Sequence, residues 1–168
     1  QVLSHNSLID IARPYIQDLA EQTGETVHLV QMEGINAVYI DKVEAPHNSV
    51  RMVSMVGKTI PLYCSGVGKA ILADMDDDQI RQIWEQSELH TYTVTDYNTF
   101  LEVIGAIRNN GYSMDNEEME IGVRCIAVSL GCVHHKLPYA ISISAPKDRM
   151  KDKQITQYKK LLLNTKKQ

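Results

Sequence analysis

The amino-acid sequence predicts an α+β fold, in which a mainly antiparallel sheet is flanked by helices. Three observations support this prediction. The β-rich segments are joined by short polar turns, which is typical of hairpins and not of β-α-β crossovers. Segments with apolar residues at helical spacing lie before, between and after them. No repeat, low-complexity stretch or linker interrupts the 168 residues, so we predict one domain that is large enough to bury a core with a pocket.

The first element is predicted to be a helix that ends at Gly24, since glycine is a common helix stop. Pro14 is expected either in its first turn or at a kink. The next segment, "ETVHLVQMEGINAVYIDKVEA", predicts a hairpin with the turn pair Glu33-Gly34, and "SVRMVSMV" predicts a third strand. The inward face of the helix is expected to carry Leu8, Ala12, Tyr15, Ile16 and Leu19.

The middle of the chain predicts three helices. The segment "GKTIPLYCSGVGKAILADM" leads from a loop into a short helix around Gly68 to Ala73. A second helix begins at Asp76 to Asp78, because acidic residues are favourable at a helix N-terminus. A third spans Thr99 to Asn110 and is ended by Gly111.

The C-terminal part predicts strands again and then a last helix. The segments "YSMDN", "GVRCIAVSLG" and "PYAISISAP" are expected to be strands, and the polar "CVHHKL" closes a hairpin between the last two. In "KDKQITQYKKLLLNTKKQ" the apolar residues recur at three and four, which predicts an amphipathic helix with a solvated lysine face. A contact of these lysines with DNA phosphates or a membrane is the alternative.

Charge is distributed unevenly along the chain. The formal net charge is -4, but eight Lys/Arg stand against two Asp/Glu from Lys147 onward, which leaves 9 basic against 19 acidic residues before it. An acidic body does not suit a nucleic-acid surface. There is no run of roughly 18 apolar residues and no signal sequence. Three cysteines without a C-x-x-C pair predict neither a disulfide framework nor a zinc ribbon. We therefore expect a cytoplasmic protein without a membrane partner.

The segment "SGVGKA" suggests a phosphate loop, but its spacing does not fit one. A Walker loop needs glycine where Tyr63 stands and Ser or Thr where Ala70 stands, and the dinucleotide fingerprint needs its third glycine where Ile71 stands. Small residues at a helix start leave backbone N–H groups approachable, and this favours an anion. A tight turn without a ligand is the alternative.

Metal ligands are present as residue types, but not at metal-binding spacing. The segment "MDNEEMEIGVRCIA" gathers four carboxylates, yet a calcium loop that begins at Asp115 needs glycine where Glu120 stands. Cys132, His134 and His135 lie in one predicted turn and have no second ligand pair. We predict no metal and no cofactor.

Catalytic motifs are also missing, so we predict no catalytic residue and no enzyme. No nucleophile elbow and no metalloprotease helix occurs in the sequence. A reactive cysteine needs a cationic or helix-terminal setting. Arg124 is next to Cys125, but neighbouring side chains on a strand point to opposite faces.

Two hydroxyl side chains stand out in the last predicted strand. Ser142 and Ser144 are two residues apart and share one face, while Ile141 and Ile143 share the other. Such a pair can hydrogen-bond a carboxylate or a polyol. Solvent exposure of this face is the alternative.

Three segments, "GKTIPLYCSGVGKAIL", "NGYSMDNEEMEIGVRCIAVSL" and "PYAISISAP", occur in an order and spacing that resemble the effector-binding domain of the IclR family of bacterial transcription factors. The family signature has the form E-x-x-x-G-V-x-C-I-A. It is matched by Glu118, Gly122, Val123, Cys125, Ile126 and Ala127. The resemblance runs from the first helix to the last, and it implies a GAF-like fold with a curved, mainly antiparallel sheet.

The resemblance also implies a pocket on that sheet for a small organic acid. The backbone amides of Gly66 and Val67 would hold its carboxylate, and Met52 and Ile60 would supply an apolar wall. Val67 is larger than the residue common at this position in the family. The "GCVHHKLP" hairpin also differs from the usual turn of the family. The polar contacts of the ligand would come from Asp115, Cys125, Ser142 and Ser144. The other carboxylates of the cluster, Glu117, Glu118 and Glu120, are expected to form a solvated or structural bend.

The implied function is that of a ligand-sensing domain of a repressor, which forms a homo-oligomer, dimer or tetramer, and binds a sugar acid or keto acid. The family places a winged helix-turn-helix domain before such a domain. We therefore expect residues 1–168 to be a fragment whose DNA contacts lie in that missing domain. Two alternatives stay open: a redox enzyme of GAF-like fold using Cys125 or Cys64, and a metal sensor using His28, Cys64 and Cys125.

Overall fold

The computed structural model describes residues 2–46, 52–89, 95–132 and 137–166, with side chains described from residue 8 onward. It contains five α-helices and six strands within these ranges, together with a short 3-10 helix at Lys147–Arg149. The helices are α1 (Val2–Thr23), α2 (Gly66–Ala73), α3 (Asp77–Gln86), α4 (Tyr97–Asn110) and α5 (Asp152–Lys166). The strands are β1 (Thr26–Glu33), β2 (Asn36–Val43), β3 (Thr59–Pro61), β4 (Ser113–Asn116), β5 (Val123–Cys132) and β6 (Pro138–Pro146).

The six strands form one curved sheet in the order β3-β2-β1-β6-β5-β4, and every neighbouring pair is antiparallel. Register shifts between Leu29 and Val30 and between Ser129 and Gly131 mark bulges, which bend strands. The predicted α+β class and the antiparallel sheet are confirmed.

Helices cover both faces of the sheet and divide the core in two. One core lies under α2, α3 and α4, and the other under α1 and α5. None of the helices in the described ranges is long and apolar enough to cross a bilayer. Fully buried side chains of the first core include Leu62, Ile71, Leu72, Ile80 and Ile104. Those of the second include Leu29, Ile126, Ile143 and Leu162.

The helix signals of the sequence are confirmed by local geometry. Asp76 and Asp96 cap α3 and α4, and Gly111 ends α4 in the left-handed conformation. The helix α5 buries Tyr158 and Leu162 and exposes most of its lysines, as an amphipathic helix should. The helix α2 begins two residues earlier than predicted, at Gly66.

Two predictions about the first half of the chain are wrong in detail. Tyr15 is 39% exposed, because the buried stripe of α1 is narrower and centres on Ile16, Leu19 and Ala20. Pro14, which was expected in the first turn or at a kink, lies inside α1, and this does not contradict the second possibility. The β1–β2 turn falls one residue later than expected, since Glu33 still pairs with Asn36.

The predicted third strand "SVRMVSMV" is also wrong where it is described. Residues 49–51 lie outside the described residues, and residues 52–56 form no strand. The backbone oxygens of Met52 and Ser54 accept hydrogen bonds from a side chain and not from a neighbouring strand. The donor is Lys42 Nζ, at 2.9 Å from Met52 O and 2.7 Å from Ser54 O. The third strand of the sheet is Thr59–Pro61, which pairs with β2.

Candidate functional site

A cavity of about 350 Å³ lies between the sheet, the start of α2 and the segment 52–60. This volume is near the lower end of the range for small-molecule sites. The structure brings all eight residues of the expected effector site into its wall: Met52, Ile60, Gly66, Val67, Asp115, Cys125, Ser142 and Ser144.

The first turn of α2 forms one end of the cavity, which we call the amide end. Ser65 caps the helix, because its Oγ accepts a hydrogen bond from Gly68 N at 3.0 Å and donates one to the Pro61 carbonyl at 2.7 Å. The amides of Gly66 and Val67 precede that bond and have no acceptor within the described part of the chain. Free amides at a helix N-terminus suit an anion.

The absence of a side chain has a different steric consequence at Gly66 and at Gly68. A Cβ on Gly66 would make ordinary contacts, at 3.6 Å, with the Cβ atoms of Asp115 and Cys125. A Cβ on Gly68 would lie 2.2 Å from the carbonyl oxygen of Leu62. Gly66 therefore keeps the cavity open beside its amide, whereas Gly68 lets α2 pass against the backbone of the preceding segment.

Four side chains from three neighbouring strands form what we call the polar floor: Asp115 of β4, Cys125 of β5, and Ser142 and Ser144 of β6. Strand register explains their proximity, because Asp115 is the cross-strand partner of Cys125, and Cys125 is the partner of Ser144. The Cys125 Sγ and Ser144 Oγ atoms are 3.0 Å apart. Ser142 and Ser144 are buried, so the solvent-exposed alternative is wrong.

His28 belongs to the same floor, although the sequence suggested it there only as a ligand of the alternative metal sensor and not as an effector-site residue. Its Nδ1 lies 3.3 Å from Ser144 Oγ and its Nε2 lies 2.6 Å from Ser54 Oγ. Burial, with the nearby charge of Lys42, lowers the pKa of His28 to about 3, so the ring stays neutral. The signal that was missed is register: His28 is the cross-strand partner of Ser142.

Asp115 is the buried carboxyl group of the polar floor. Its side chain accepts a hydrogen bond from the backbone N–H of Glu118 at 2.7 Å, and the residue is 3% exposed. Burial raises the pKa of Asp115 to about 6, with a further rise from the Glu118 charge, while the amide and the Lys69 charge oppose it.

The three glutamates of the cluster have separate positions. Glu117 has a positive φ of 61°, and its carboxylate accepts a hydrogen bond from Gly122 N at 2.8 Å, so it shapes the bend. Glu118 binds the ammonium group of Lys69, which is 4% exposed and also donates to the Met114 carbonyl. Glu120 is exposed but lies at the cavity wall, which the expectation of a solvated or structural bend did not include.

Apolar side chains also line the cavity. They include Met52 and Ile60, the residues expected to supply an apolar wall, and Val53, Met119 and Val123, which were not among the expected effector-site residues. Tyr39 also lines the cavity, with its ring centroid 4.8 Å from that of His28.

Cys64 and Cys125 are free thiols in the first core and on the polar floor. Burial raises the pKa of both Cys64 and Cys125 to about 12, so both are protonated thiols near neutral pH. Arg124 points away from Cys125, as strand alternation predicts, and donates to Asn116 Oδ1 at 2.8 Å. Within residues 2–46, 52–89, 95–132 and 137–166 no group of three His, Cys, Asp or Glu is arranged to hold a metal ion. His134 and His135 lie outside the described residues.

Comparison with known proteins agrees with this architecture. A family model described as "Bacterial transcriptional regulator IclR C-terminal" matches residues 1–168. The DNA-binding transcriptional repressor YiaJ of Escherichia coli (strain K12) is 35% identical over 156 residues, which cover 90% of this chain and 55% of that protein. The chain spans 55% to 62% of the length of the first curated relatives it matches.

Solved structures show the same domain. The Thermotoga maritima IclR crystal structure has a TM-score of 0.87 and 33% identity, covering 95% of this chain and 65% of that one. The inducer binding domain of a PobR transcription factor double mutant from Acinetobacter, in complex with 3-hydroxybenzoic acid, has a TM-score of 0.82 and 27% identity, covering 94% of both chains.

Proposed function

Because the chain belongs to the IclR family of bacterial transcriptional regulators, as a C-terminal domain, we propose that its cavity binds a small carboxylate effector, such as a sugar acid or a keto acid. The family is one of regulators and not of enzymes, and several of its members are named repressors. In this proposal DNA is bound by a separate domain, and the effector changes the affinity of that domain for DNA.

The observation that carries the proposal is the amide end of the cavity. Two backbone amides at the start of α2 lie in its wall without a protein acceptor among the described residues. Beside them lies the polar floor, whose Asp115, Ser142 and Ser144 are buried, so a ligand there is recognised with little competition from water. We infer that Gly66 and Val67 bind the carboxylate and that Asp115, Cys125, Ser142 and Ser144 orient the rest of the effector, against the wall of Met52 and Ile60.

The PobR domain supports this choice of chemistry. Its double mutant, 27% identical to this chain, forms a complex with 3-hydroxybenzoic acid, a small acid with one additional hydroxyl group. A cavity with amide donors at one end and hydroxyl and carboxyl groups on its floor matches such a molecule. The different apolar walls that one fold can present then decide which acid is accepted.

Regulation requires that the effector prefer one arrangement of the whole regulator. An effector shifts an equilibrium only by the difference of its affinities for the two states, and such couplings are typically about 1 to 3 kcal/mol. We propose that this chain supplies the effector site and the contacts between subunits of a cytoplasmic dimer or tetramer.

Calorimetry tests the proposal with matched pairs of probes at pH 6. The acids are pyruvate, D-gluconate and 3-hydroxybenzoate, and the controls are pyruvamide, D-gluconamide and 3-hydroxybenzamide. We expect at least one acid to bind and its neutral amide to bind at least about tenfold more weakly, because charge-assisted hydrogen bonds are the stronger ones. No binding by any acid to the folded chain, or equal binding of acid and amide, contradicts the proposal.

Asp115→Ala is expected to weaken binding of the best acid at least about tenfold at pH 6, whereas Glu117→Ala leaves the affinity nearly unchanged. Each variant removes a carboxyl group of the same cluster that accepts a backbone amide, from Glu118 for Asp115 and from Gly122 for Glu117, but only Asp115 lines the cavity. Circular dichroism shows whether both stay folded, and calorimetry gives the affinities. Equal losses in the two variants would mean that the carboxylates act as a group.

A further inference from the structure

The geometry points to Asp115 binding the effector as the neutral acid, which donates a hydrogen bond to the bound anion, so that the site takes up one proton together with each carboxylate. This inference rests on the proposed function. It makes Asp115 a specificity-determining residue, and it makes effector binding sensitive to pH.

The first step is the position of Asp115 beside the amide end. A Cβ built on Gly66 would lie 3.5 Å from Asp115 N and 3.6 Å from Asp115 Cβ, so only the space of one methyl group separates the backbone of Gly66 from the root of the Asp115 side chain. An effector carboxylate on the amides of Gly66 and Val67 is therefore a close neighbour of the Asp115 carboxyl group.

The second step is that two carboxylates cannot both stay ionised there. Asp115 is 3% exposed, so little water screens its charge. Like charges at short range in a poorly solvated site share a proton, as pairs of buried carboxyl groups do. In the free protein burial already raises the pKa of Asp115 to about 6, and a bound anion raises it further.

The buried cation next to Asp115 is already engaged. Lys69 donates to the Met114 carbonyl and to the Glu118 carboxylate, so its charge is balanced by Glu118. Lys58 lies at the cavity wall but is exposed to solvent, as is Glu120 from the β4–β5 connection. A proton on Asp115 is the remaining way to relieve the repulsion.

The uncharged titratable groups around Asp115 do not change state between pH 5 and pH 8. From β1, the pKa of His28 is about 3. From β5 and from the segment before α2, the pKa values of Cys125 and Cys64 are about 12. From β2, burial raises the pKa of Tyr39 above its ordinary value, with a further rise from the charge of Asp115. A pH dependence in this window is thus assigned to Asp115, and Glu120→Gln tests the neighbouring carboxyl group.

The sign of the effect follows from linkage. Below about pH 6 the free site already holds the proton, and affinity is at its maximum. Above about pH 6 the free site has lost the proton, and binding must recover it. The affinity therefore falls as pH rises, with a limiting slope of about tenfold per pH unit.

Calorimetry of this chain from pH 5 to pH 8, with pyruvate, D-gluconate and 3-hydroxybenzoate as probes, tests the inference. Measurements in buffers of different ionisation enthalpy count the protons, and we expect uptake to approach about one per bound probe near pH 7 to 8. Asp115→Asn keeps an oxygen for the Glu118 amide and offers an N–H to the probe. It is expected to bind with an affinity independent of pH and without proton uptake, while Glu120→Gln keeps the pH dependence of the natural chain.

The outcomes separate this inference from the function on which it depends. Binding with proton uptake that disappears in Asp115→Asn supports both. Binding with a flat pH profile, or with an uptake that persists in Asp115→Asn, overturns the inference and leaves the carboxylate site standing. No binding by any probe at any pH, in a chain shown to be folded, overturns both.

Discussion

Gly68→Ala is expected to lower the free energy of unfolding by about 3 kcal/mol, the upper part of the range for overpacked sites. The added Cβ would lie 2.2 Å from the carbonyl oxygen and 2.4 Å from the Cα atom of Leu62. These are backbone atoms next to a fully buried side chain, so they cannot turn aside as a flexible side chain can. Urea unfolding measures the loss. The added Cβ must also shift the start of α2, which carries the amides of Gly66 and Val67. We therefore expect the affinity for the acid to fall together with the stability.

Gly105→Ala is the matched control for that result. Gly105 lies inside α4, and a Cβ there meets nothing within 4 Å. Alanine is favoured over glycine in a helix interior by about 1 kcal/mol, so this variant is expected to be more stable than the natural chain. A Gly68→Ala protein as stable as the natural chain would show that α2 does not pass against Leu62 as described.

Lys69→Met is expected to cost about 3 kcal/mol of unfolding free energy, near the lower end of the range for breaking a buried ion pair. The lysine side chain is 5% exposed and that of Glu118 is 18% exposed. Methionine keeps most of the apolar length but leaves the Glu118 carboxylate and the Met114 carbonyl without the ammonium group. The ion pair also joins α2 to the connection that follows Asp115, so we expect weaker acid binding as well.

An exposed pair provides the control for this variant. Arg81 and Glu85 form an i,i+4 pair at 3.6 Å with side chains that are 61% and 63% exposed, so Glu85→Gln is expected to change stability by less than about 0.5 kcal/mol. The double variant Lys69→Met/Glu118→Met should regain much of the loss, because it no longer buries an unpaired charge. Similar small effects of Lys69→Met and Glu85→Gln would mean that the Lys69 pair is solvated.

The helices and the hairpins could be predicted because their signals are local. Caps such as Asp76 and Gly111 fix helix ends within a few residues of where they stand. The segment 52–56 could not be predicted, because its alternating apolar residues imitate a strand. In the structure two of its carbonyl groups are bound by Lys42, a residue of another element, and no local pattern reveals that contact.

The site shows the same division between local and tertiary information. Alternation alone placed Ser142 and Ser144 on one face, and the family resemblance named the residues that the structure gathers in one wall. His28 was not predicted as an effector-site residue, since its place depends on pairing between β1 and β6, which are more than 100 residues apart along the chain. The partnership of Lys69 with Glu118 was missed for the same reason, because helix spacing on α2 carries no information about a distant connection.

Amide NMR spectra of the chain titrated with the best-binding acid test the central claim most directly, since the claim concerns two particular backbone N–H groups. We expect the resonances of Gly66 and Val67 to show the largest saturable shifts, with smaller changes at Asp115 and Ser144. The matched neutral amide should leave the Gly66 and Val67 resonances nearly unmoved at the same concentration. An acid that binds while these two resonances stay in place, and residues outside the cavity move, would contradict the account.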